Sequence, residues 1–129
     1  MRRSLMCILA ALLAGCSAMP VQSDRVFHRP LATSTAPSLL RAQLSEAVRL
    51  ITNLEYDKAR PLLLQTLGGL ERSGDLNAAA EATFWLGYIA EAAGQSSLAR
   101  NYYARVLRTY PFCPAARLAE DRLGRLGEG

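Results

Sequence analysis

From Leu39 onward, apolar residues return every three or four positions, a spacing that favours amphipathic helices over other regular structure. Leu40, Leu44, Ala47, Val48, Ile51 and Leu54 form one stripe. Asn53-Leu54-Glu55 breaks it, and Ala59, Leu62, Leu63, Thr66, Leu67 and Leu70 form the next. Asp57 is expected to cap this second helix, with Pro61 in or just beyond its first turn, where a missing N–H does least harm. Gly68-Gly69 is expected to weaken it late, and Ser73-Gly74-Asp75 to connect it to a third helix over about Asn77 to Ala93. Gly94 ends that helix as a left-handed cap residue would. A fourth helix follows from about Ser96 to Thr109, stopped by Pro111, and a last from about Pro114 to Leu126. No stretch reads as a strand, so the expected body is all-α, built of helical hairpins over residues 39–126.

The N-terminus has a different character. Residues Met1–Gly15 open with Arg2-Arg3 and continue as an apolar run from Leu5 to Ala14. A positive start followed by a hydrophobic stretch too short to span a bilayer stably is the build of a secretory signal. The leader ends Leu13-Ala14-Gly15-Cys16, which resembles the lipobox of bacterial lipoproteins. Small residues before the cysteine let a peptidase approach the backbone. The resemblance implies that Cys16 carries diacylglycerol and, usually, an acylated amine. Several acyl chains anchor stably where one is marginal, at about 0.8 kcal/mol per buried methylene. Ser17 follows the cysteine, and the absence of Asp there leans toward the outer membrane rather than the inner. Residues 16–38 then contain Pro20, Pro30 and Pro37 among many Ser and Thr, and read as a flexible tether. Its Val26-Phe27 pair is a possible docking element; His28, the sole histidine, reads as a linker residue.

Charge and cysteines exclude several classes. The formal charge of +4 falls to near +2 once Arg2 and Arg3 leave with the leader, since 13 of the 15 Lys+Arg then face 11 Asp+Glu. With no Lys/Arg run or aromatic-basic stripe, nothing points to nucleic acid. Cys113 is alone in the body, so no intramolecular disulfide is available to it there, and no Cys/His spacing suggests a metal site. Two readings of Cys113 stand: a small loop residue, or an intermolecular bridge in an oxidising compartment.

Residues Ala80–Cys113 resemble one tetratricopeptide repeat, 34 residues long. Leu86-Gly87, Gly94, Ala99, Tyr103 and Pro111 stand at the matching positions. Small Gly87 and Ala99 would let two helices cross closely, with Leu86 and Tyr103 beside the crossing. Thr83 and Ala90 depart from the family's large aromatics, and Trp85 is out of frame with its Trp. An earlier, weaker match runs through Ala42, Ala47, Tyr56-Asp57, Ala59 and Leu63, with Ala59 and Ala99 separated by 40 residues. The last helix, Ala115–Leu126, resembles the closing helix of a repeat array.

The resemblance implies about two repeats, a capping helix and a groove lined by the first helix of each hairpin. Arg41, Leu44 and Val48 should face it from the first repeat, and Glu81, Phe84, Tyr88 and Glu91 from the second. The acids are costly to bury alone and Tyr88 offers an apolar body with a polar tip, a composition suited to a peptide or partner helix. No paired carboxylates or nucleophile–base pair suggests catalysis, and no cofactor is implied. The expected function is a lipid-anchored adaptor in the bacterial cell envelope, facing the periplasm, for an assembly or secretion complex. The alternatives are a peptidoglycan-linked enzyme or enzyme activator, and a structural homo-oligomer.

Overall fold

The computed structural model describes residues 29–128, with side chains from residue 37 onward. The leader, Cys16, Val26-Phe27 and His28 lie outside the described residues. Helices account for nearly all of the rest: α1 (Arg29–Thr52), α2 (Tyr56–Ser73), α3 (Leu76–Ala92), α4 (Ser96–Thr109) and α5 (Pro114–Gly127). No strand occurs among the described residues. Contacts divide the chain between Ala36 and Pro37, and the description below concerns the second unit, Pro37–Gly129. None of the described helices is long and apolar enough to cross a membrane.

Three turns share one construction. Leu54, Gly74 and Gly94 stand 20 residues apart and all have left-handed backbones, with φ of 63°, 77° and 76°. At each, the following N–H reaches five residues back: Glu55 to Leu50 O at 2.9 Å, Asp75 to Leu70 O at 3.2 Å, Gln95 to Ala90 O at 2.9 Å. The left-handed residue itself donates three residues back, to Ile51, Glu71 and Glu91. This is the Schellman pattern, which satisfies carbonyls that a helix end leaves open. The fourth turn is built otherwise: Cys113 N–H donates to Tyr110 O at 3.1 Å around Pro111, and Pro114 opens α5 at a position that needs no N–H.

Several local expectations are corrected. Helix α1 begins at Arg29, within the last part of the stretch whose prolines suggest a tether. Pro30 falls in the first turn, where a helix tolerates proline, whereas Pro37 lies inside α1, where it removes an N–H and crowds the preceding turn. The compact unit nonetheless starts at Pro37, two residues before the expected Leu39. Asp57 does not cap α2; Glu55 occupies that position without a side-chain bond, and Asp57 sits inside the first turn, where its charge suits the helix dipole. A working side-chain cap occurs at the next helix, where Asp75 caps α3 and accepts from Ala78 N–H at 3.3 Å. Helix α2 runs unbroken through Gly68-Gly69. Gly69 is a close-approach residue: a Cβ there would lie 2.5 Å from Leu40 Cδ2 of α1.

Helix α3 is central, packing against α2, α4 and α5. Ten of its 17 residues are buried, five of them alanine, as a helix contacted on several sides requires. Gly87 marks a second tight crossing. A Cβ there would meet Tyr103 Cε1 at 2.7 Å and Tyr102 Cβ at 3.2 Å, so α3 and α4 approach at a distance only glycine permits. Ala59 and Ala99 are fully buried, as are Leu63 and Tyr103 four residues after each. Buried Thr66 and Thr83 satisfy their hydroxyls on Leu62 O and Ala79 O.

Ion pairs tie helices that are two apart in the chain. Arg41 of α1 meets Asp75 at the start of α3 at 2.6 Å. Glu71 of α2 accepts from Arg105 of α4 at 2.7 Å and from the Tyr110 hydroxyl at 2.9 Å. Glu91 of α3 pairs with Arg122 of α5 at 3.1 Å.

Candidate functional site

Alternate helices open a trough between them. Helix α1 contributes Arg41, Leu44, Ser45 and Val48, which recur at one helical face. Helix α3, with its cap Asp75, contributes Asn77, Ala78, Glu81, Phe84 and Trp85. Pro114, Ala115 and Leu118 of α5 close the third side. The cavity measures about 750 Å³, within the size range of binding clefts. Helices α2 and α4 contribute no lining residue. Their place is behind: Tyr103 of α4 supports Phe84, with ring centroids 5.5 Å apart.

The floor is apolar and its charges are few. Leu44 and Phe84 are buried, and Val48 and Trp85 half-buried. The Trp85 ring stands edge-on to Phe84 at 5.4 Å, and its Nε1–H donates to Glu81 at 3.3 Å. At one end, Arg41 and Asp75 neutralise each other. Their hydrogen bond holds the Asp75 carboxyl below its ordinary range and raises the arginine. Glu81 is exposed and pairs with no cation of the described residues. The trough can therefore take an apolar ligand surface and offers one unneutralised carboxylate at its edge.

Five of the seven expected groove residues, Arg41, Leu44, Val48, Glu81 and Phe84, come together here. Tyr88 and Glu91 do not line the trough. Tyr88 stacks under Arg122, whose guanidinium carbon is 5.3 Å from the ring centroid. Glu91 accepts from the Tyr103 hydroxyl at 2.7 Å and from Arg122. Glu91 is thus not an isolated acid, because α5 brings it an arginine. Burial first, then Glu91, pushes the Tyr103 hydroxyl well above the ordinary tyrosine range.

The contributions of Trp85 and α5 were missed from the sequence. Trp85 lies four residues after Glu81, a spacing that places both on one face; its mismatch with the repeat consensus obscured this. Nothing local in α5 marks Ala115 or Leu118 as lining residues. Cys113 is a half-buried free thiol at the start of α5. No cluster of His, Cys, Asp or Glu that would hold a metal occurs among the described residues. No family model matches the chain, and no curated protein or solved structure is significantly similar to it.

Proposed function

We propose that the protein is an envelope adaptor: two tetratricopeptide-like hairpins, α1–α2 and α3–α4, with α5 as closing helix, held at a membrane by lipid on Cys16. The observation that carries this reading is the convergence of Arg41, Leu44, Val48, Glu81 and Phe84 in one trough lined by alternate helices. A stack of hairpins lines one face with the first helix of each pair and buries the second behind it. The 40-residue offset of the turns at Leu54 and Gly94 supports the same layout. The occupant is a partner segment with an apolar face, an extended peptide or one side of a helix.

The test has two arms. Cys16→Ala should abolish lipid labelling and membrane retention; unchanged labelling removes the anchor from the account. Glu81→Arg combined with Trp85→Ala, in lipidated protein, should leave the helical signal intact and reduce recovery of the envelope partner from membranes. Recovery of this chain alone would replace the adaptor with a self-assembling structural protein. Muropeptide release by the purified protein would replace it with an enzyme.

A further inference from the structure

Phe112 is the most exposed large apolar side chain among the described residues, at 99%. It is not loosely held. Before it, Tyr110 is buried and its hydroxyl donates to Glu71. Pro111 fixes the first corner of the turn, and Cys113 N–H closes it onto Tyr110 O. After it, Pro114 starts α5. A turn that holds a phenylalanine out in water leaves its burial energy for whatever covers the ring.

The surroundings identify the cover. Arg72 lies at the end of α2, Arg108 at the end of α4 and Arg117 in the first turns of α5; all three are exposed and none has an ion-pair partner among the described residues. Of the carboxylates at this end, Asp75 is engaged with Arg41 and Glu71 with Arg105, which leaves Arg72 and Arg108 unopposed, while Glu120 and Asp121 follow Arg117 one helical turn along α5. Leu76, the first residue of α3, is also half exposed. The result is an apolar tip in a basic collar. An aromatic ring suits the boundary between headgroups and acyl chains, and guanidinium groups suit lipid phosphates.

We infer that this end of the body docks on an anionic glycerophospholipid bilayer, with Phe112 inserted at the interface and Arg72, Arg108 and Arg117 on phosphates. The Arg41–Asp75 pair and the shared lining by Arg41 and Pro114 put the start of the compact unit at the same end as the Phe112 turn.

The experiment places the sole tryptophan at the tip, in the full chain carrying Trp85→Phe and Phe112→Trp. Vesicles of equal parts phosphatidylglycerol and phosphatidylcholine should shift its emission to the blue, and brominated acyl chains should quench it. Pure phosphatidylcholine should give a several-fold smaller quench, and adding Arg108→Glu with Arg117→Glu should give the same loss. Should Trp85→Phe lower the helical signal, the spectrum is taken as the difference between Phe112→Trp and wild type. Emission that stays water-like and unquenched with both vesicles overturns the inference, whatever the lipid labelling of Cys16 shows. A blue shift in buffer that grows with protein concentration also overturns it, by assigning Phe112 to a second copy.

Discussion

The helix pairs α1–α2 and α3–α4 carry buried residues at matching 40-residue intervals, with different side chains at them. Ala47 and Gly87 stand 40 residues apart at buried positions, as do Ala59 and Ala99. Leu63 and Tyr103 are both fully buried, but only the tyrosine carries a hydroxyl, which is bonded to Glu91. The turns differ most. Gly94 takes its left-handed backbone without a steric penalty, whereas Leu54 takes it with a Cβ, while leaving its side chain 72% exposed. Both pairs use glycine at a close approach, Gly69 against α1 and Gly87 against α4, so the difference lies in the turn: α3–α4 turns on glycine, and α1–α2 turns on a strained leucine that hydrogen bonds on either side hold in place.

The largest effect that would break this comparison is at Gly87. Gly87→Leu should destabilise the body by about 2–4 kcal/mol, because any Cβ already collides with Tyr103 and Tyr102. Thermal melting checks it, and a midpoint equal to wild type would show that the crossing can open freely.

Exchanging the turn residues sharpens the comparison. Gly94→Leu should cost about 1–2 kcal/mol, the penalty of a Cβ in left-handed backbone. Leu54→Gly should be neutral or stabilising by up to about 1 kcal/mol, since little buried area is lost. Equal costs for both would mean that the two turns are not equivalent.

A smaller effect is pH-dependent and largest at Tyr103 of α4. Burial, then a carboxylate, raises Tyr103 and Tyr110 above the ordinary tyrosine range. Above about pH 10 these groups lose protons in the unfolded chain while the folded chain retains them, so stability falls as pH rises there and is fully present below. Tyr103→Phe should flatten that alkaline slope, as denaturant titrations across the range would show. An unchanged slope would remove Tyr103 as its source.

The helices were legible because their stripes are regular and their punctuation is strong. Ser96 and Thr109 bound α4 as expected, and Gly94 caps α3 as expected. The break at Leu54 was visible, but the left-handed leucine was not, since nothing in a leucine announces positive φ. The start of α1 was not legible from prolines, because Pro30 sits in a first turn, which tolerates it, and Pro37 lies inside the helix against the usual preference. In the trough, Arg41, Leu44, Val48, Glu81 and Phe84 followed from helical facing and the repeat frame. Glu91 did not, because its partner Arg122 is 31 residues away on α5, a tertiary fact no local pattern carries. The third wall was hidden for the same reason.

The central claim, that the trough is the working surface, is tested most directly by site-specific photo-crosslinking in membranes. A photoreactive residue at Ser45 lies in the trough on an exposed position, and one at Arg60 lies on α2, which lines none of it. The account predicts a discrete crosslinked partner from Ser45 that disappears with Glu81→Arg and Trp85→Ala, and none from Arg60. The same partner captured from Arg60 alone, or from both sites regardless of those substitutions, would contradict it.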